Sequence, residues 1–332
     1  MSSSLVDLGV LEEWMDANGF PPGPLRDMTV LSGGTQNIHL RLRKGDGTYV
    51  FRRPPEHLRK GSNDVNRREA RVLAALRDTR VPAPRLVASC PDETVLGAAF
   101  YVMEWVDGVS LEESRPAYAG DPNALFAMGL AAVDALATLG EVDHIAVGLG
   151  DFGRPDGFLE RQVGRWLSEL DSYRELSGYP GPDIPGLHEV SDWLDRNRPS
   201  GFRPGIMHGD YHMANLRFAP DEPRVAAILD WEMCTIGDPL LDLGWLIATC
   251  ATEAASGLPK DSELAERYAG RSDRDLSTIS WYATLACFKL GIVLEGTHAR
   301  ACAGRAEKST GDRLHDQCLN LFRQAERFIR AE

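Results

Sequence analysis

The chain of 332 residues has no excess of positive charge. Lys and Arg number 36 against 49 Asp and Glu, a formal net charge of −13. Nucleic acids and anionic membrane surfaces are recognised through basic stripes, so neither is expected as a main partner. Paired cysteines are also lacking. Cys90, Cys234, Cys250, Cys287, Cys302 and Cys318 include no C-x-x-C, which speaks against a disulfide frame or a zinc site and for scattered, reduced core thiols. No segment approaches the ~18 consecutive apolar residues of a membrane span. The opening M-S-S-S-L-V-D-L has neither the basic region nor the apolar run of a signal peptide, and a cytoplasmic protein is the expectation. Internal repeats and low-complexity tracts are missing too. What is present is 43% hydrophobic and 26% charged, the composition of an ordinary globular protein. The length is great for one core and points to two lobes. Nothing in it sets an oligomeric state.

Residues 5–18 place apolar positions at helical spacing and stop at Gly19 and the Pro-rich stretch 21–24. Two β-rich runs, 38–43 and 49–53, flank the turn Lys44-Gly45-Asp46-Gly47, and a third, 28–31, leads into Ser32-Gly33-Gly34-Thr35. Two adjacent glycines between strands let the backbone approach a ligand, and equally make a plain turn. Residues 63–77 form a helix that Ser62 or Asn63 can cap, with Val65, Val72, Leu73 and Leu76 on its apolar stripe. Glu69 falls on or beside that stripe. A carboxylate turned inward needs a partner, and an arginine of the preceding hairpin, Arg52 or Arg53, is the nearest candidate. Two further strands end in Met103-Glu104-Trp105-Val106, after which the pattern becomes mostly helical, at 124–139, 158–176, 187–197, 240–250, 263–269, 276–300 and 306–329.

The stretch richest in chemistry is H-G-D-Y-H-M-A-N, followed by I-L-D-W-E and G-D-P-L-L-D-L. Asp210 and Asn215 stand five residues apart on a loop, and Asp230 ends the β-rich run 225–229. Phosphoryl transfer needs a carboxylate to orient and deprotonate a hydroxyl, hard oxygen ligands for Mg²⁺, and a cation on the phosphates. Asp210 suits the first task; Asn215 and Asp230 suit the second.

These motifs resemble the aminoglycoside phosphotransferase family of small-molecule kinases, which are built like protein kinases. His208, Asp210, His212 and Asn215 meet the family's His-Gly-Asp-x-His-x-x-Asn at every fixed position, and Asp230 takes the place of the aspartate that opens the kinase D-F-G. The resemblance covers nearly the whole chain. It implies an α+β, bilobal protein-kinase-like fold, with an N-terminal helix and linker (1–27), a small antiparallel-sheet N-lobe (28–106) and a mostly helical C-lobe (107–332). It further implies ATP (or GTP) with Mg²⁺, covered by Ser32, Gly33, Gly34, Thr35 and Asn37, with the base docked at Met103, Glu104, Trp105 and Val106. The strand cation that pairs with Glu69 is usually lysine; here the strand reads Y-V-F-R-R and Arg52 falls at that position. An F-R-R-P-P strand resembles one branch in particular, the kinase-like domain found alone or fused to acyl-CoA dehydrogenase-like domains. His208, His212 and Asp242 would brace the catalytic loop.

The expected activity is therefore transfer of a nucleotide γ-phosphoryl group to a hydroxylated small molecule. The branch points to a hydroxyacyl compound or its CoA ester, with Arg161, Arg165 and Arg300 as basic contacts. An aminoglycoside O-phosphotransferase is the alternative, for which Glu160, Glu169, Asp171 and Asp183 would line an acidic cleft. A non-catalytic nucleotide-binding protein is the alternative of another class. H-x-D-x-H also fits a metallohydrolase, but the remaining histidines form no matching clusters.

Overall fold

A computed structural model describes residues 6–31, 37–55, 58, 61–111, 118, 121, 123–253 and 257–331. The chain divides into two compact units, Met1–Pro116 with Ala214–Cys234, and Ala117–Met213 with Thr235–Glu332.

The first unit is built on a five-stranded antiparallel sheet: β1 (Arg26–Val30), β2 (Ile38–Lys44), β3 (Gly47–Arg53), β4 (Leu86–Cys90) and β5 (Phe100–Glu104), in the order β1-β2-β3-β5-β4. Helix α1 (Leu8–Ala17) is capped by Asp7, whose carboxylate accepts from the N–H groups of Gly9 and Val10. Its Leu11 and Met15 join Phe20, Phe51, Phe100 and Val102 in one core cluster. Alternate β3 residues face opposite ways. Phe51 enters that core, while Arg52 faces the other way, towards α2 (Ser62–Leu76), where Glu69 is buried beside Val72 and Leu73. The α2 cap differs from the sequence expectation. Gly61 occupies the N-cap in a left-handed conformation, and the Asn63 side chain instead accepts from Ala99 N–H at 3.0 Å, tying α2 to β5. A short hairpin, β7 (Leu216–Phe218) with β8 (Val225–Ile228), also belongs to this unit. Val109 N–H donates to Phe218 O at 2.9 Å and Ile228 N–H to Pro82 O at 2.7 Å. The sequence boundary at residue 106 leaves this hairpin with the second domain; backbone bonds to segments 82 and 109 group it with the first.

The second unit holds α3 (Ala124–Gly140), α4 (Gln162–Ser172), α5 (Leu187–Arg196), α6 (Leu240–Glu253), α7 (Asp261–Ala269), α8 (Ile279–Cys302) and α9 (Lys308–Arg330), with the two-stranded pair β6 (Gly205–Met207) and β9 (Thr235–Gly237). The sequence runs one helix over 158–176; α4 itself is shorter and closes in a 3-10 turn, Tyr173–Glu175. Helix α8 is apolar nearly all round because it is central. It is long enough to cross a bilayer, yet 67% of its most apolar window is buried in the protein. Trp281 and Tyr282 on it lie at 1% and 2% exposure, the first donating its indole N–H to Leu194 O and the second its hydroxyl to Asp238.

Candidate active site

In the first unit the charged groups gather around Arg52. Its Nη2 lies 2.9 Å from Glu69 Oε1, 3.2 Å from Asp230 Oδ1 and 3.5 Å from Glu232 Oε2. Arg52 and Glu69 are 4% and 1% exposed, so this is a buried pair, whereas the Asp230 side chain is 39% exposed. Arg53, the other candidate cation, donates instead to the carbonyls of Pro54 and Leu96. Burial lifts the Glu69 carboxyl to about 8, with Arg52 opposing. Arg52 itself stays charged: its neighbours Tyr101, Glu69 and Asp230 more than offset burial. The strand register sets His39 directly across from Arg52. Burial and the Arg52 charge hold the His39 ring down at about 4, so it is neutral near pH 7.

Asp230 follows β8 with φ 63° and ψ 67°, a left-handed backbone that turns the chain into the 3-10 turn Trp231–Met233. Non-glycine residues adopt this conformation seldom, aspartate more than most. Leu229 N–H donates to Asn215 O at 2.8 Å, so Asn215 and Asp230 leave neighbouring strands at the same end of the β7–β8 pair. Asn37 donates to Glu232 Oε2 at 3.4 Å. Residues 32–36, which include Ser32, Gly33, Gly34 and Thr35, lie outside the described residues.

At the end of β5, Glu104 N–H donates to Arg85 O and Trp105 N–H to Thr48 O, while Met103 pairs with Val50 across the sheet. Trp105 and Val106 are half-buried and Glu104 is exposed. The guanidinium groups of Arg41 and Arg217 lie 4.7 and 5.0 Å from the Trp105 ring centroid. Arg217 also donates to Gly108 O at 2.6 Å. Sequence reasoning missed this stack because its members are far apart in the chain. The only signal was an arginine within each of two strand patterns, Arg41 in I-H-L-R-L-R-K and Arg217 in L-R-F.

The second unit carries the loop after β6. Asp242, buried on α6, accepts from His208 N–H at 2.6 Å and from Gly209 N–H at 2.8 Å. Gly209 holds φ 87°, so the turn that presents Asp210 needs glycine. His208 is fully buried, its Nδ1 accepting from Asp210 N–H at 3.3 Å and its ring edge-on to Tyr211 at 5.9 Å. Tyr211 anchors the loop to α3 by donating to Ala132 O. His212 Nε2 stands 3.4 Å from Asp210 Oδ2, so it contacts the carboxylate itself. Burial alone would raise the Asp210 carboxyl, but the His212 contact, with Lys289 and His208 beyond it, outweighs burial and holds it at about 2. Asp242 is pushed the other way, up to about 7, because burial outweighs its two N–H partners. Lys289 on α8, absent from the sequence reading, donates to Gly209 O at 2.8 Å.

The basic candidates scatter. Arg161 donates to the carbonyls of Arg154 and Asp156, and Arg300 to Thr297 Oγ1. Arg165 lies over the Trp166 ring at 5.1 Å. Glu160, Glu169, Asp171 and Asp183 are all exposed.

Comparison with known proteins places these groups in context. The profile of the phosphotransferase enzyme family matches residues 27–282. "Acyl-CoA dehydrogenase family member 11" of Gallus gallus is 32% identical over 330 residues, covering 90% of this chain and 40% of that protein. The chain thus spans about two-fifths of the length of that relative. A Ralstonia eutropha JMP134 protein, provisionally named an aminoglycoside phosphotransferase, is 30% identical, with a TM-score of 0.81 over 97% of this chain and 99% of its own. A thermostable mutant of aminoglycoside phosphotransferase APH(4)-Ia, solved with ADP and hygromycin B, shares the fold at 13% identity, with a TM-score of 0.60 over 94% of this chain and 97% of its own.

Proposed function

Because the chain belongs to the phosphotransferase enzyme family, a premise on which its transfer of phosphoryl groups to hydroxyls rests, we propose that it uses ATP or GTP to phosphorylate a hydroxyacyl compound, free or as its CoA ester. The observation that carries the nucleotide half is Arg52, buried between Glu69 and Asp230 in the first unit. Transferred phosphoryl groups are stabilised by positioning and electrostatics more than by covalent chemistry. A guanidinium already desolvated, and fixed on one side by Glu69, is suited to that task. Nucleotide complexes of a fold relative support the reading. The base would dock beside Met103, Glu104, Trp105 and Val106.

Asn215 and Asp230 fit a magnesium ion. They are hard oxygen donors at one end of the same strand pair, and the Asp230 carboxylate is solvent-accessible. Bound there, the ion would neutralise charge on the phosphates. In the second unit, Asp210 would accept the proton of the acceptor hydroxyl. Its carboxylate is ionised throughout the physiological range, and the loop that presents it is braced by Asp242, His208 and Tyr211.

The acceptor class rests on the likeness to acyl-CoA dehydrogenase family proteins. The four acidic residues proposed for an aminoglycoside cleft are exposed helix and loop charges, so they add nothing to that alternative. The test is a screen of hydroxy acids, hydroxyacyl-CoAs and aminoglycosides for nucleotide-dependent phosphorylation. Turnover of hydroxyacyl compounds is expected; turnover of an aminoglycoside with every hydroxyacyl compound inert would sink the assignment.

A further inference from the structure

Two histidines far apart in the sequence meet where α8 gives way to α9. Glu295 and His298 are spaced i, i+3 on α8, and Asp312 and His315 repeat that spacing on α9, so each carboxylate–imidazole pair shares one helix face. Gly311 lets the helices come close here: a Cβ on it would collide with Ala301 Cβ. One ligand atom each from Glu295, His298 and His315 lies within 4.8 Å of the others. The buried Glu295 accepts from the Tyr179 hydroxyl on Oε1 at 2.6 Å, and its Oε2 lies 2.6 Å from His315 Nδ1. Asp312 is arranged alike: Oδ2 is held by Lys308, and Oδ1 faces His298 Nδ1 at 3.9 Å. That gap is too long for a hydrogen bond, and His298 Nδ1 is buried with no hydrogen-bond partner among the described residues. Across the ring, His298 Nε2 lies 3.6 Å from Cys302 Sγ. A buried ring nitrogen left in this way calls for an explanation. Zinc bonds to nitrogen and oxygen are about 2.0–2.2 Å long, so two donors 3.9 Å apart are spaced for one ion between them.

We propose that Glu295, His298 and His315, with Asp312 as the fourth donor, form a zinc site that fastens α8 to α9. Two imidazoles and two carboxylates suit zinc, and the two carboxylate charges balance a divalent ion. Zinc takes the place of the proton shared by His315 Nδ1 and Glu295 Oε2, and that proton leaves to water. The rings stack with centroids 4.6 Å apart and 30° between their planes, and they turn to bring both Nδ1 atoms to one point. The terminal torsion of histidine is soft enough for that. Entry is open, because the side chains of His298, His315 and Asp312 are 17%, 22% and 50% exposed. Tyr179 and Lys308 hold the outer carboxylate oxygens and Cys302 the outer nitrogen of His298, so the ligands are oriented from behind. All these residues lie in the second unit, and none has a part in the phosphoryl transfer proposed above, so the zinc site is independent of that function.

The test titrates metal-free protein with Zn²⁺ and, as a spectroscopic probe, with Co²⁺, both in excess Mg²⁺ so that hard-oxygen sites are filled. The expected result is one zinc per chain, and with Co²⁺ the visible absorption of a four-coordinate site. X-ray absorption of the wild-type zinc complex should show nitrogen and oxygen ligands, imidazole among them, and no sulfur. Tyr179→Phe removes an outer contact and is expected to weaken zinc binding by about 10–100-fold. His298→Gln and His315→Gln remove a ligand each and should weaken it further. Zinc should raise the thermal unfolding midpoint of the wild type and leave that of the histidine variants in place. Cys302→Ser keeps an acceptor for His298 Nε2–H and should still bind. No one-to-one zinc complex in the wild type would overturn the site. So would sulfur in its ligand shell, binding lost in Cys302→Ser, or binding unchanged in both histidine variants.

Discussion

Replacing Arg52 by lysine would keep one positive charge and lose the guanidinium whose Nη2 lies 2.9 Å from Glu69 and 3.2 Å from Asp230. Lysine carries its charge as a compact, strongly hydrated point, so the exchange is not conservative at a buried ion pair. Arg52→Lys is expected to weaken nucleotide binding by roughly tenfold, read by titration, since losing one charge-assisted hydrogen bond is worth about 1.5–3 kcal/mol. Unaltered affinity would show that the guanidinium does not serve the phosphates. Asp242 makes a prediction of the other kind. Its folded carboxyl titrates at about 7, above the unfolded value, so the folded chain binds a proton that the unfolded chain has released. Stability from this group is therefore present at low pH and is lost as pH rises through 7. Between pH 5 and 8 the loss amounts to roughly 2–3 kcal/mol. Asp242→Asn is expected to be less stable overall, because its amide faces two backbone donors, and to have a flatter pH dependence of the unfolding midpoint over that range. An equal slope in the variant would refute the assignment.

The elements nearest the chemistry were legible from spacing. Hairpin β2–β3 follows from alternation around Gly45, and α2 from its apolar stripe. The inward position of Glu69 follows from its offset to Val72 and Leu73. Less legible were features fixed by contacts between distant segments. The α2 cap went to Gly61 because Asn63 is used by β5, and no local propensity encodes that competition. The Arg41–Trp105–Arg217 stack joins three strands or strand ends, and Lys289 reaches Gly209 across 80 residues of chain. On α8 the all-round apolar pattern announced burial but hid the one lysine with a specific partner. Helix packing gives its own test. A Cβ added at Gly244 on α6 would lie 2.5 and 2.6 Å from the carbonyl carbon and oxygen of Tyr282 on α8, both backbone atoms that cannot swing aside. Gly244→Ala is expected to cost about 1–3 kcal/mol, seen as a lower thermal midpoint. A midpoint within error of the wild type would mean that α6 and α8 can separate without penalty.

At the scale of the whole chain, the two compact units carry different groups of the proposed chemistry: Arg52 and the proposed metal ligands in the first, the proposed base in the second. A ligand that binds only the folded state stabilises it by RT ln(1 + [L]/Kd), about 2.7 kcal/mol at a hundredfold excess over Kd. Nucleotide with Mg²⁺ is expected to raise the unfolding midpoint, and a chelator to remove most of that rise while leaving the ligand-free midpoint unchanged. The net charge of −13 gives no general attraction for a phosphate ester. On the proposed reading Arg52 supplies it locally, so nucleotide affinity should respond to its substitution more than to bulk salt. The most direct test of the account follows the γ-phosphoryl group itself. Labelled nucleotide is mixed with a hydroxyacyl acceptor, and the label on the acceptor is measured for the wild type and Asp210→Asn. The account predicts label on the acceptor hydroxyl in the wild type and transfer slowed by about 10³-fold in the variant, within the span of a lost general base, with nucleotide affinity within twofold. Transfer at the wild-type rate by Asp210→Asn would contradict it.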